Sequence, residues 1–136
     1  MNNNSNAEEG QFTKDKEELA AKLEKQIAVA QWVQAAGVFA EAILLTKLYL
    51  LKEDSNAEGE QKILAGIWVQ TIGQLAEAAA VSKQIEAEDE FVLYNAQKMA
   101  IAGDWGQALG SALQAIGGEE ILLADGIGNV FDTLIP

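Results

Sequence analysis

From Thr13 to Lys52 apolar side chains return at helical spacing, with Leu19, Leu23, Ile27 and Ala30 falling on one side, and the stretch holds one glycine and no proline. The pattern predicts one long helix over 13–52, with Thr13 as a candidate N-cap. The polar run Glu53-Asp54-Ser55-Asn56-Ala57-Glu58-Gly59 interrupts the periodicity and predicts a loop. A second helix is expected over 60–86, a turn at Ala87-Glu88-Asp89-Glu90, and a third helix from Glu90 to the pair Gly117-Gly118, a candidate C-cap. A shorter fourth helix should follow from Glu119 to about Leu134, frayed at Gly126 and Gly128. Met1 to Gly10 has neither a basic cluster nor an apolar core, so it does not read as a secretory signal. Residues 1–12 read instead as a disordered polar tail, and 13–136 as a single helical domain.

The chain is also periodic on a longer scale. Ile27, Trp32, Val33, Gln34, Gly37, Ala40, Glu41, Ala42 and Lys47 recur 36 residues later as Ile63, Trp68, Val69, Gln70, Gly73, Ala76, Glu77, Ala78 and Lys83. A third, more worn copy lies a further 37 residues on and keeps Ala102, Gly103, Trp105, Gln107, Gly110 and Ala115, with Gln114 in place of the earlier glutamates. One helix and one turn per repeat predict an all-α fold, an antiparallel bundle of about four helices built from three repeats of about 36 residues. The Trp-x-Gln-x-x-Gly core, Trp32-Val33-Gln34-Ala35-Ala36-Gly37 and its two later copies, resembles that of the uncharacterised repetitive helical proteins of Bacillus-type bacteria. The likeness spans Ile27 to Gly117 and implies no activity, cofactor or site.

At 100° per residue, Lys62, Gly66, Gln70, Gly73, Glu77, Ala80 and Gln84 fall in one narrow stripe of the second repeat. The same stripe reads Ala30, Gln34, Gly37, Glu41 in the first copy and Gly103, Gln107, Gly110, Gln114, Gly117 in the third. Three readings stand side by side. The stripe is the water-facing side of each helix; or it is a packing seam, where small residues let backbones approach while Gln and Glu bond across; or it is a polar groove lined by Glu41 and Glu77. Glycine speaks for the seam, because a helical glycine costs about 1 kcal/mol relative to alanine and all three copies keep one. Trp32, Trp68 and Trp105 lie away from the stripe on the wide apolar arc and are expected to anchor a core or an interface.

Composition narrows the chemistry. Histidine and cysteine are both absent, which removes imidazole bases, thiol nucleophiles, disulfides and zinc-finger ligand sets. No catalytic pair, metal-ligating pattern or cofactor motif is evident, so neither an enzyme nor a cofactor is expected. Nine Lys+Arg against 21 Asp+Glu give a formal charge of −12, which repels nucleic acid and anionic membranes. Ile27 to Leu51 has spanning length but carries Glu41, Lys47, Gln31 and Gln34, and each ionised group at mid-bilayer costs about 3 kcal/mol. The expectation is a cytoplasmic, non-enzymatic structural or interaction protein whose partner is itself or another protein. A membrane-active helical protein, soluble until its helices open onto a bilayer, is the alternative.

Overall fold

The computed structural model describes residues 3–52 and 58–124, and among them every regular element is helical. Helix α1 runs Asn3–Leu51, α2 Glu58–Glu86 and α3 Glu90–Leu122. Alanine, leucine, glutamate, lysine and glutamine dominate all three, and no proline interrupts them. Glu58 and Glu60 sit in the first turn of α2, where acidic groups complement the helix dipole, and Lys83 sits in its last turn. Asp89 caps α3, its Oδ1 accepting from the Val92 amide at 2.8 Å.

Two boundaries differ from the sequence expectation. Helix α1 starts at Asn3, so the described part of the expected tail is helix, and Thr13 is interior: its Oγ1 donates to the Glu9 carbonyl at 3.0 Å instead of capping. A helix already nucleated extends through polar residues at little cost when no breaker intervenes. Helix α3 likewise runs through Gly117-Gly118 to Leu122, so neither glycine ends it. Of the expected loop over 53–59, Glu58 and Gly59 already belong to α2 and 53–57 lie outside the described residues; of the expected fourth helix over 119–134, Glu119 to Leu122 continue α3 and the part beyond residue 124 lies outside the described residues.

Helix α2 is the middle element, antiparallel to both neighbours, and α1 and α3 are packed on it without being packed on each other. Lys52–Glu60 at one end and Trp32–Ser82 at the other fix the α1–α2 register. Gly59–Gly117, Gly66–Gly110 and Gly73–Gly103 fix that of α2–α3. The core is built mainly from small side chains: among the described residues Ala35, Ala42, Ala78, Ala80 and Ala96 are buried, joined by the larger Ile67, Thr71 and Gln74. Large apolar residues therefore point outward, and α1 is exposed at every residue over 3–27. The accessible surface is 10013 Å² for 14.5 kDa, against roughly 6,900 Å² for a compact monomer of that mass.

Candidate interaction surfaces

The glycines of α2 and α3 bring the two backbones into contact. A Cβ added at Gly73 would stand 2.6 Å from the Gly103 carbonyl oxygen, and one at Gly66 or Gly117 would stand 2.5 Å from the carbonyl oxygen of Gly110 or Gly59. No real Cβ fits at such distances, so these positions admit only glycine unless the helices separate. The closeness allows weak Cα–H···O contacts and excludes water along the seam. Amides bond across it: Gln114 Nε2 donates to Gln70 Oε1 at 2.6 Å, and Gln107 Nε2 donates to Glu77 Oε2.

Glu77 joins all three helices. Besides Gln107 of α3, it accepts through Oε1 from Gln31 Nε2 of α1 at 2.9 Å, and Gln31 Oε1 accepts in turn from the buried Gln74 at 2.7 Å. A half-buried carboxylate is tolerable here because both oxygens take a side-chain amide donor. Its donors are neutral amides, and no cationic side chain bonds to it. Glu41 is elsewhere: it is exposed on α1, ten residues or about 15 Å along the helix from Gln31, so the two glutamates do not line one groove. At the far end of the seam Lys62 bonds Glu120 of α3 and lies 3.5 Å from Glu58. The bond to Glu120 raises the Lys62 pKa above its usual 10.5, against a smaller opposing effect of desolvation.

The stripe thus divides. In α2 and α3, Gln70, Gly73, Glu77, Gln107, Gly110 and Gln114 lie in the seam between the helices. In α1 the corresponding Gln34, Gly37 and Glu41 are exposed, and a Cβ at Gly37 would meet nothing within 4 Å.

The tryptophans divide as well. Trp68 Nε1 donates to Thr46 Oγ1 at 3.0 Å and its ring meets Phe39 edge-on at 6.1 Å, while Trp32 Nε1 donates to Ser82 Oγ at 2.9 Å. Both are spent on holding α1 to α2. Trp105 is 66% exposed on α3, and between α2 and α3 runs a shallow apolar groove lined by Val69, Ile72, Ala76, Met99, Ala102 and Gly106. A second groove, lined by Leu45, Leu48, Tyr49, Ile63, Leu64 and Ile121, is flanked by the Lys52–Glu60 ion pair.

Sequence reasoning missed Gln31, Thr71 and Gln74, which form the polar part of the α1–α2 contact. Thr71 Oγ1 donates to the Ile67 carbonyl at 2.7 Å and reaches Val38 O at 3.4 Å. The available signal was a second row one position beyond the stripe: Gln31, Ala35, Val38, Ala42 in α1 and Ile67, Thr71, Gln74, Ala78 in α2. Among the described residues no group of acidic side chains is gathered to hold a metal ion. No family model, no curated protein and no solved structure matches the chain.

Proposed function

We infer that this is a non-enzymatic structural or protein-interaction bundle that assembles with itself or another protein through apolar surface its three described helices leave open. The observation that carries the reading is the outward placement of large apolar side chains on α2 and α3. Ile72, Trp105 and Leu109 are 65%, 66% and 62% exposed. An enzyme is set aside on the sequence, which offers no nucleophile and base pair. The three repeats of about 36 residues, the part of the expected fourth helix that lies past α3, and the resemblance to the repetitive helical proteins of Bacillus-type bacteria belong to the same reading. Each repeat would supply one helix with two packing faces.

Light scattering of the full chain over a dilution series tests it. The expected result is a defined oligomer that Trp105→Ala weakens while helicity is retained, since Trp105 makes no hydrogen bond that the fold uses. A second reading, a membrane-active protein, is favoured by one observation. Helix α1 is long and apolar enough to cross a membrane, and only 11% of its most apolar window is buried. That reading expects a monomer that releases dye from lipid vesicles. A monomer that leaves vesicles intact defeats both.

A further inference from the structure

Helices α1 and α3 both pack on α2 but not on each other, which leaves a cleft between them with α2 as its floor. One end of it has a mixed lining that includes Glu24, Gln84 and Gln97 beside Ile27, Val81 and Leu93. The other end is apolar: Leu45, Leu48 and Tyr49 of α1, Ile63 and Leu64 of α2 and Ile121 of α3 line it, with the Lys52–Glu60 ion pair at its rim. Its volume is about 180 Å³, and a cavity of about 150 Å³ holds a benzene ring, so one aromatic side chain fits.

The chain carries a segment suited to this recess and delivers it there. Ile121 is the last residue but one of α3, so residues 125–136 set out from the mouth of the apolar end. In that segment Ile127, Val130, Phe131, Leu134 and Ile135 stand at i, i+3, i+4, i+7 and i+8, the spacing of a helix with one buried face. Asp125, Asn129, Asp132 and Thr133 fall on the opposite side. As a helix, 127–136 spans about 15 Å, whereas Leu45 to Lys52 spans about 10 Å of α1, so a turn at Asp125-Gly126 leaves enough length to pass Tyr49, Leu48 and Leu45.

We propose that residues 125–136 fold back into the apolar end of the cleft as a fourth helix, antiparallel to α3, with Phe131 seated among Leu45, Leu48, Ile63 and Ile121. A segment joined to the groove by a short turn meets it at high effective concentration, so even a small apolar contact holds it. For the same reason the occupant is this chain's own segment and not that of a second copy. The inference goes beyond the self-association reading and does not rest on it. Trp105 and Leu109 lie about 160° and 120° round α3 from Ile121, so the docked segment leaves the surface of that reading uncovered.

Amide hydrogen exchange of the full chain tests the docking. In the wild type the amides of 130–135 should exchange at least about tenfold more slowly than in a free peptide of the same sequence. Phe131→Asp should remove that protection and speed exchange at 45–51 and 60–64, while 70–78, in the seam with α3, stays as it is. Exchange of 130–135 at free-peptide rates in the wild type, or a Phe131→Asp chain that keeps the protection, overturns the proposal. Because the chain has no cysteine, an engineered pair also identifies which copy supplies the segment. Under mild oxidation Leu45→Cys with Leu134→Cys should form a disulfide within one chain. It should form at least about tenfold faster than in the pair Ile116→Cys with Leu134→Cys, since Ile116 lies about 140° round α3 from Ile121. Equal rates for the two pairs, or disulfide-linked dimers in place of the intramolecular product, overturn the proposal as well, the first by placing the segment elsewhere and the second by placing it on a second copy.

Discussion

Gly117 and Gly118 are neighbours in α3, and alanine at each should move stability in opposite directions. A Cβ at Gly117 would stand 2.5 Å from the Gly59 carbonyl oxygen and 2.9 Å from Ile63 Cγ1, whereas one at Gly118 meets nothing within 4 Å. Gly118→Ala should gain the helix-propensity difference of about 1 kcal/mol. Gly117→Ala earns the same propensity but must push two backbones apart, and overpacking of that kind costs about 1 to 3 kcal/mol. Gly73→Leu belongs with Gly117, since its Cβ would stand 2.6 Å from the Gly103 carbonyl oxygen and 2.7 Å from the Gln107 nitrogen. Urea midpoints of the single variants read the signs directly, and equal effects at 117 and 118 would mean that the seam is looser than described. Sequence alone could not separate the two glycines. A glycine that ends a helix and one that admits a neighbouring backbone look the same locally, and here Gly59, far away in the chain, makes the difference.

At the level of whole helices, most of what periodicity implied is present: α2 over 58–86 and α3 from Glu90 follow the expected bounds closely. These are segments whose apolar pattern, acidic first turns and Asp89 cap all agree. The start of α1 was not legible because Asn3 to Phe12 has no apolar rhythm to read, and only its continuity with a strong helix keeps it helical. That origin has a dynamic consequence. Residues 3–27 are exposed throughout and approach the other helices only near Glu24 and Ile27, while α2 is packed on two sides and its Thr71, Gln74 and Glu77 bond to neighbouring helices. Amide hydrogen exchange should accordingly be fastest in α1 before about residue 27 and slowest in the middle of α2, whose opening requires loss of both interfaces. Protection in the first turns of α1 equal to that of α2 would show that another molecule covers them.

For the molecule as a whole, the repeat left its own ambiguity. The same row is closed between α2 and α3 and open on α1, and its residues are nearly the same in each copy, so no local reading could assign one to a seam and another to solvent. What decides is position in the chain: the middle helix has neighbours on both faces, and the first helix has one. The charge of −12 then sets the conditions under which an open face can find a second copy. Two such chains repel over the Debye length, which falls from about 30 Å at 0.01 M salt to about 8 Å at 0.15 M. The contacts proposed at the surface carrying Ile72, Trp105 and Leu109 are apolar, and none is an ion pair that salt would break. Adding sodium chloride over that range should therefore tighten self-association several-fold, with the net charge controlling the approach of the chains. The dissociation constant from sedimentation at the two salt concentrations measures this, and an association that weakens with salt would instead require attractive ion pairs across the interface, contrary to an apolar contact.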